Sequence, residues 1–231
     1  MGLIHRWFGN PAKGRTRPLA EYQPFDLCTK TAPRDMVPRE AKEVHKRLVE
    51  RIPETNRLLE GWLREDQVDI ETGTHAEILS RVGDWLVGKA RTCRHRPSFE
   101  PPKTGKERLL VEYLIQQGDV QDIDTPTMSM CYYVGYYFST LMIADIPECF
   151  YTVGTGKKNV VYNQTIVKRA GFLSELDPPT PIMNWVRRHI LPESRPRSCS
   201  LGELFDIWVE MFTMSTPPPA TAIQQMRGAR E

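Results

Sequence analysis

From residue 38 onward, apolar positions return at the spacing of one helix face: Ala41, Val44, Leu48 and Ile52 follow Pro38, which suits a first helical position. Proline inside a helix removes a hydrogen bond and collides with the preceding turn. Pro53 is therefore expected to break this helix, and a second starts at Glu54 with Leu58, Leu59, Trp62 and Leu63 on one side. Residues 66–73 read as a polar turn. Thr74 then caps a helix, and Glu77 three positions later completes a capping box ahead of Ile78, Leu79, Val82, Trp85, Leu86 and Ala90. Gly83 and Gly88 lie inside this helix at a cost relative to alanine, which points to close approach of another backbone. Residues 91–106 form a basic, proline-broken connection, followed by a helix over 106–117 that stops at Gly118. Asp119, Asp122 and Asp124 crowd the next loop, and Thr125-Pro126 opens another helix with Thr125 as cap.

Residues 128–144 are apolar or aromatic on nearly every face, the signature of a helix buried all round. Tyr132, Tyr133, Tyr136 and Tyr137 each bring a hydroxyl that needs a partner, so polar contacts are expected to thread this core. The period then changes. Residues 149–153 and 160–167 are β-prone, and the intervening Gly154, Gly156 and Asn159 supply turn chemistry, so the pair reads as a β-hairpin, the one convincing β signal in the chain. Asp177-Pro178-Pro179 introduces a helix carrying Ile182, Trp185, Val186 and Ile190, and the Ser200/Glu203 capping box opens a last one through Phe212. The pattern as a whole predicts a mainly helical α+β fold: one domain of about six or seven helices around a buried aromatic-rich helix, with one β-hairpin. Its expected bounds are residues 35–213, between a flexible arm over 1–34 and a flexible proline-rich tail over 214–231.

Composition narrows the function classes. The chain has 231 residues, 40% apolar and 26% charged, which suits one globular domain. With 31 basic and 29 acidic residues the net charge is +2, so neither a nucleic-acid coat nor a polybasic membrane binder is indicated. Cys28, Cys93, Cys131, Cys149 and Cys199 show no Cys-x-x-Cys pair, and an odd count suits reduced thiols. The start is too short in apolar residues for a signal peptide, and Arg6 stands where a myristoylation signal needs Ser or Thr. A cytoplasmic location is the expectation. Leu3, Ile4, Trp7 and Phe8 form a small apolar cluster, read as docking on its own domain or as a weak contact with a membrane or partner, which leaves a peripheral scaffold protein as one alternative function.

No motif of established chemistry emerges. Gly154, Gly156, Lys157 and Lys158 suggest a phosphate loop, but the glycine spacing fails, Lys158 occupies the hydroxyl position and the loop leads into a strand. His5, His45, His75, His95 and His189 are isolated, so no metal and no cofactor is expected. An enzyme whose site assembles only in space stays open as the alternative, with Cys149, His189 and the acids near Asp122 as its candidates. The basic residues Arg94, Arg96, Lys157 and Lys158 are instead expected to meet another protein.

One resemblance adds to this reading. Tyr133-Val134-Gly135-Tyr136-Tyr137, Phe150-Tyr151, Asn163, Asp177-Pro178 and Trp185, over about residues 74–190, are similar to a pattern in small cytosolic bacterial proteins. Some of those act as immunity proteins that bind and neutralise a toxin. The resemblance implies a non-enzymatic protein-binding module with another protein as partner, and it carries no catalytic residue over.

Overall fold

The structure, a computed structural model, describes residues 17–95, 120–156, 161–172, 175–191 and 199–214. Helix α1 spans Pro38–Glu65 and α2 spans His75–Lys89. Strands β1 (Thr92–His95) and β2 (Val120–Ile123) form one antiparallel pair. Helix α3, Thr125–Asp145, leads to β3 (Cys149–Val153), β4 (Thr165–Arg169) and β5 (Glu175–Leu176), an antiparallel sheet in the order β3-β4-β5. Helices α4 (Pro179–Ile190) and α5 (Leu201–Thr213) follow. The fold is α+β and mainly helical, with α3 at its centre. Among the described residues no helix is long and apolar enough to cross a membrane.

Helix α3 is central because it has no polar face. Met130, Cys131, Val134, Phe138 and Met142 are buried in the main cluster, and its Tyr133 and Tyr137 join them. Polar contacts do thread this core, through Ser139 and Thr140 rather than the four tyrosines: Ser139 Oγ lies 2.7 Å from the Tyr151 hydroxyl on β3, and Asn56 Nδ2 of α1 donates to Thr140 Oγ1 at 2.9 Å. Both capping boxes form, Thr74 with Glu77 at α2 and Ser200 with Glu203 at α5.

Several local expectations need correction. Pro53 does not break its helix: α1 runs unbroken through it. Leu48, Ile52, Asn56, Leu59 and Leu63 lie on one continuous buried face that spans the proline, and their burial offsets the loss of about 3 kcal/mol that a mid-helix proline imposes. The two expected helices are thus one, and the helix predicted over 106–117 lies outside the described residues, which leaves five α-helices among those described. The basic and acidic loops flanking residues 96–119 are strands at their outer ends, with Thr92 opposite Ile123 and Arg94 opposite Gln121. Each is four residues long and at least half polar, too short for any alternation to stand out.

The cap of α3 is Asp124, whose Oδ1 accepts from the Thr127 amide at 2.8 Å, while Thr125 and Pro126 occupy the first helical positions. Residues 161–164, expected in the second strand of the hairpin, form a turn and that strand runs from Thr165, because Asn163 takes a left-handed conformation with φ 61°. Its amide returns to Gly154 O at 2.8 Å, and its Nδ2 donates to Pro33 O and Met36 O at 3.0 and 2.9 Å. The close approach expected at both helix glycines occurs at one: a Cβ on Gly83 would sit 2.8 Å from Leu201 Cβ, whereas one on Gly88 would meet nothing within 4 Å.

Residues 17–34, counted in the arm on pattern alone, lie against this core. Leu19 and Tyr22 are buried, the Phe25 ring stacks on Tyr132 and Tyr136, and the Phe25 amide donates to Ser129 Oγ at 2.6 Å.

Candidate binding surface

Lys157, Lys158 and Arg96, together with Leu3, Ile4, Trp7 and Phe8, lie outside the described residues. Arg94 is described through its backbone, in β1 opposite Gln121. The groups named for an enzyme are each engaged elsewhere. Cys149 is buried on β3, and burial pushes its thiol up to about 11. Asp122 on β2 accepts two bonds from Arg187, Nε to Oδ1 at 2.7 Å and Nη2 to Oδ2 at 3.1 Å, a fork-to-fork pair that joins β2 to α4. His189 directs Nδ1 at Trp185 O, 2.8 Å away, with its ring 4.1 Å from the indole. No hydrogen bond among the described residues joins these three groups. His45 and His75 pair with Thr165 Oγ1 and Asp145 Oδ1 at 3.2 and 2.9 Å, contacts that tie elements together. Among the described residues no three His, Cys, Asp or Glu side chains converge as metal ligands.

A densely bonded polar group lies where residues 17–22 cross α1 and α2. Asp66 Oδ2 accepts from the Tyr22 hydroxyl at 2.6 Å, Trp85 Nε1 at 2.7 Å and Lys89 Nζ at 2.9 Å. Lys89, only 8% exposed, also donates to the Tyr22 hydroxyl at 3.0 Å and to Arg17 O at 2.6 Å, so all three ammonium protons are used. Burial raises the Asp66 carboxyl, but the bonds from Tyr22, Trp85 and Lys89 outweigh it and hold the group below its ordinary value. With all three Lys89 protons used and Asp66 Oδ2 accepting three bonds, the pair acts as a clamp on the 17–22 segment.

The open surface lies further back along α1, near its middle. Arg51 on α1 donates through Nη1 to Asp26 Oδ2 at 2.5 Å and to Cys28 Sγ at 3.4 Å, and the Cys28 amide bonds Asp26 Oδ1 at 2.8 Å. This fixes residues 26–30 beside the helix and leaves a cavity of about 510 Å³ lined by Asp26, Cys28, Lys30, Arg47, Glu50 and Arg51, with Thr29. Cys28 packs with Met36, Ala41, Val44 and Val153 in a small apolar cluster of its own. Their chain neighbours Leu27 and Val37 point outward, 41% and 61% exposed, and Phe150 on β3 is 46% exposed. Among the described residues these three are the large apolar side chains that the fold leaves in solvent. The pattern gave no signal for them: Leu27 fell within the expected arm, and Val37 precedes the first helical residue.

No protein-family model, curated protein or solved structure matches this chain.

Proposed function

We propose that this protein is a non-enzymatic protein-binding module, of the immunity or antitoxin type in which one protein neutralises another. The observation that carries the reading is the exposure of Leu27, whose neighbours Asp26 and Cys28 line a charged cavity on α1, and of Val37, whose neighbour Met36 packs with Cys28. Single exposed apolar residues are ordinary, but apolar anchors close to a charged concavity have the anatomy of a protein interface. Engagement of Cys149, His189 and Asp122 in packing and ion pairing gives the enzyme alternative no support. The test is affinity capture with the tagged full chain from its native host, followed by reconstitution from purified components and measurement of the complex mass. One partner in fixed stoichiometry supports the reading. Failure to recover any stoichiometric partner, together with turnover of a small-molecule substrate, overturns it.

A further inference from the structure

Strand β3 is an edge of its sheet, with β4 on one side. In an antiparallel pair, alternate residues exchange hydrogen bonds with the neighbour and the others turn their N–H and C=O to the opposite side. The Gly154 amide donates to Gln164 O at 2.9 Å and Gly154 O accepts from the Asn163 amide at 2.8 Å. Carried along the register, in which Thr152 faces Ile166 and Phe150 faces Lys168, this places Thr152 and Phe150 in the bonded set. Tyr151 and Val153 therefore turn their backbone groups away from β4, and no other described element bonds to them.

An unpaired strand edge is a template for another strand, and folded proteins usually blunt it with lysine, proline, a bulge or a covering element. Strand β3 reads Cys-Phe-Tyr-Thr-Val, with no charge and no proline, and its residues are mostly those that favour strands. Phe150 is held in solvent on it, on the face opposite Tyr151 and Val153. The Val153 end abuts the surface described above, since Val153 shares a cluster with Cys28, which lines the cavity. Within that cavity Arg51 is paired with Asp26, on which the Arg47 charge also acts, while Lys30 and Glu50 form no ion pair among the described residues. The lining sets three cations against two carboxylates, so its net charge is positive.

We propose that the partner docks by strand addition: an extended segment of another protein pairs with the free edge of β3, lays an apolar side chain against Phe150 and ends in an acidic residue at the Lys30 and Arg47 side of the cavity. Main-chain bonds supply affinity in this mode and alternate side chains supply selectivity. A second copy of the chain fits less well, because β3 paired on itself is a five-residue contact, far short of the roughly 1,000 Å² that a stable interface buries. The inference rests on the protein-binding reading and names the partner's chemistry.

The test uses the isotopically labelled full chain and synthetic peptides of alternating valine and threonine, ended by aspartates or by lysines, read by amide hydrogen exchange. In the free protein the Phe150 and Thr152 amides are protected and those of Tyr151 and Val153 exchange freely. The aspartate-ended peptide at millimolar concentration slows Tyr151 and Val153 exchange about tenfold, and its backbone N-methylated form does not. Tyr151 and Val153 amides already protected in the free chain, or unchanged by the peptide, overturn strand addition. An equal response to the lysine-ended peptide overturns the acidic end. Val153→Pro, which removes an outward N–H and leaves the bonds to β4, abolishes the response, and Phe150→Lys weakens it with the fold intact by circular dichroism. A captured partner that binds Val153→Pro as tightly as wild type refutes strand addition while the protein-binding reading stands.

Discussion

The two glycines of α2 make opposite predictions from one substitution. A Cβ added at Gly83 lies 2.8 Å from Leu201 Cβ at the start of α5 and 2.9 Å from Trp185 Cη2 on α4. Carbon atoms in comfortable contact sit about 3.5–4.0 Å apart, so the helices have to part by several tenths of an ångström. Leu201 Cβ is close to its backbone and cannot swing aside. Overpacking of this kind costs about 1–3 kcal/mol, and alanine in place of a helical glycine returns about 1 kcal/mol. Gly83→Ala is therefore destabilising by about 1 kcal/mol. At Gly88, where the new methyl meets nothing within 4 Å, only the helix term operates. Gly88→Ala is stabilising by up to about 1 kcal/mol. At this chain length a kcal/mol moves the melting temperature by roughly 2–4 °C, so the two variants melt about 4–8 °C apart on opposite sides of wild type. Urea titration gives the free energies and, through an unchanged slope, shows that the same surface unfolds in both. Two variants that shift together, or a Gly83→Ala protein as stable as Gly88→Ala, refute the close packing of α2 on α5 and α4.

Asp66→Asn leaves the Lys89 ammonium buried without a counter-charge, and lowers stability by about 3 kcal/mol in urea titration. Because the folded Asp66 carboxyl is held below its unfolded value, its contribution is complete above the unfolded carboxylate range and is lost as pH falls through the folded value; wild type loses stability on acidification by more than Asp66→Asn does. Burial lowers the His45 pKa, so this imidazole favours the folded state above its unfolded value and opposes it once acid forces a proton on; His45→Gln flattens the fall in unfolding midpoint between neutral and mildly acidic pH. Burial pushes the Cys131 thiol up to about 12 and that of Cys149 up to about 11, so a disulfide reagent at neutral pH reacts with these two only after denaturant is added, and with part-exposed Cys28, Cys93 and Cys199 before it.

What the chain discloses in advance depends on how local the cause is. The two capping boxes are contained within four residues each, and both form as written. The buried helix α3 announces itself because no face of it is polar. Pro53 misleads because the local penalty is real, while the burial that overrides it comes from a face running the length of α1. The β1–β2 pair is hidden because its strands are short and lie on either side of residues 96–119. The candidate surface was illegible for the same kind of reason. Its parts come from residues 26–30, from the middle of α1 and from β3, and only the bonds of Arg51 to Asp26 and Cys28 bring the first two together.

The proposed protein-binding surface around Leu27 and Val37 can be tested at a single residue. The most direct measurement is the affinity of the captured partner for wild type and for Val37→Lys, with unfolding midpoints recorded beside it. Val37 is 61% exposed and touches the fold only at its edge, so the variant keeps wild-type stability. Val37→Lys is expected to bind at least about tenfold more weakly at that unchanged stability, as for an anchor at the heart of an interface. Equal affinity for the two proteins contradicts it.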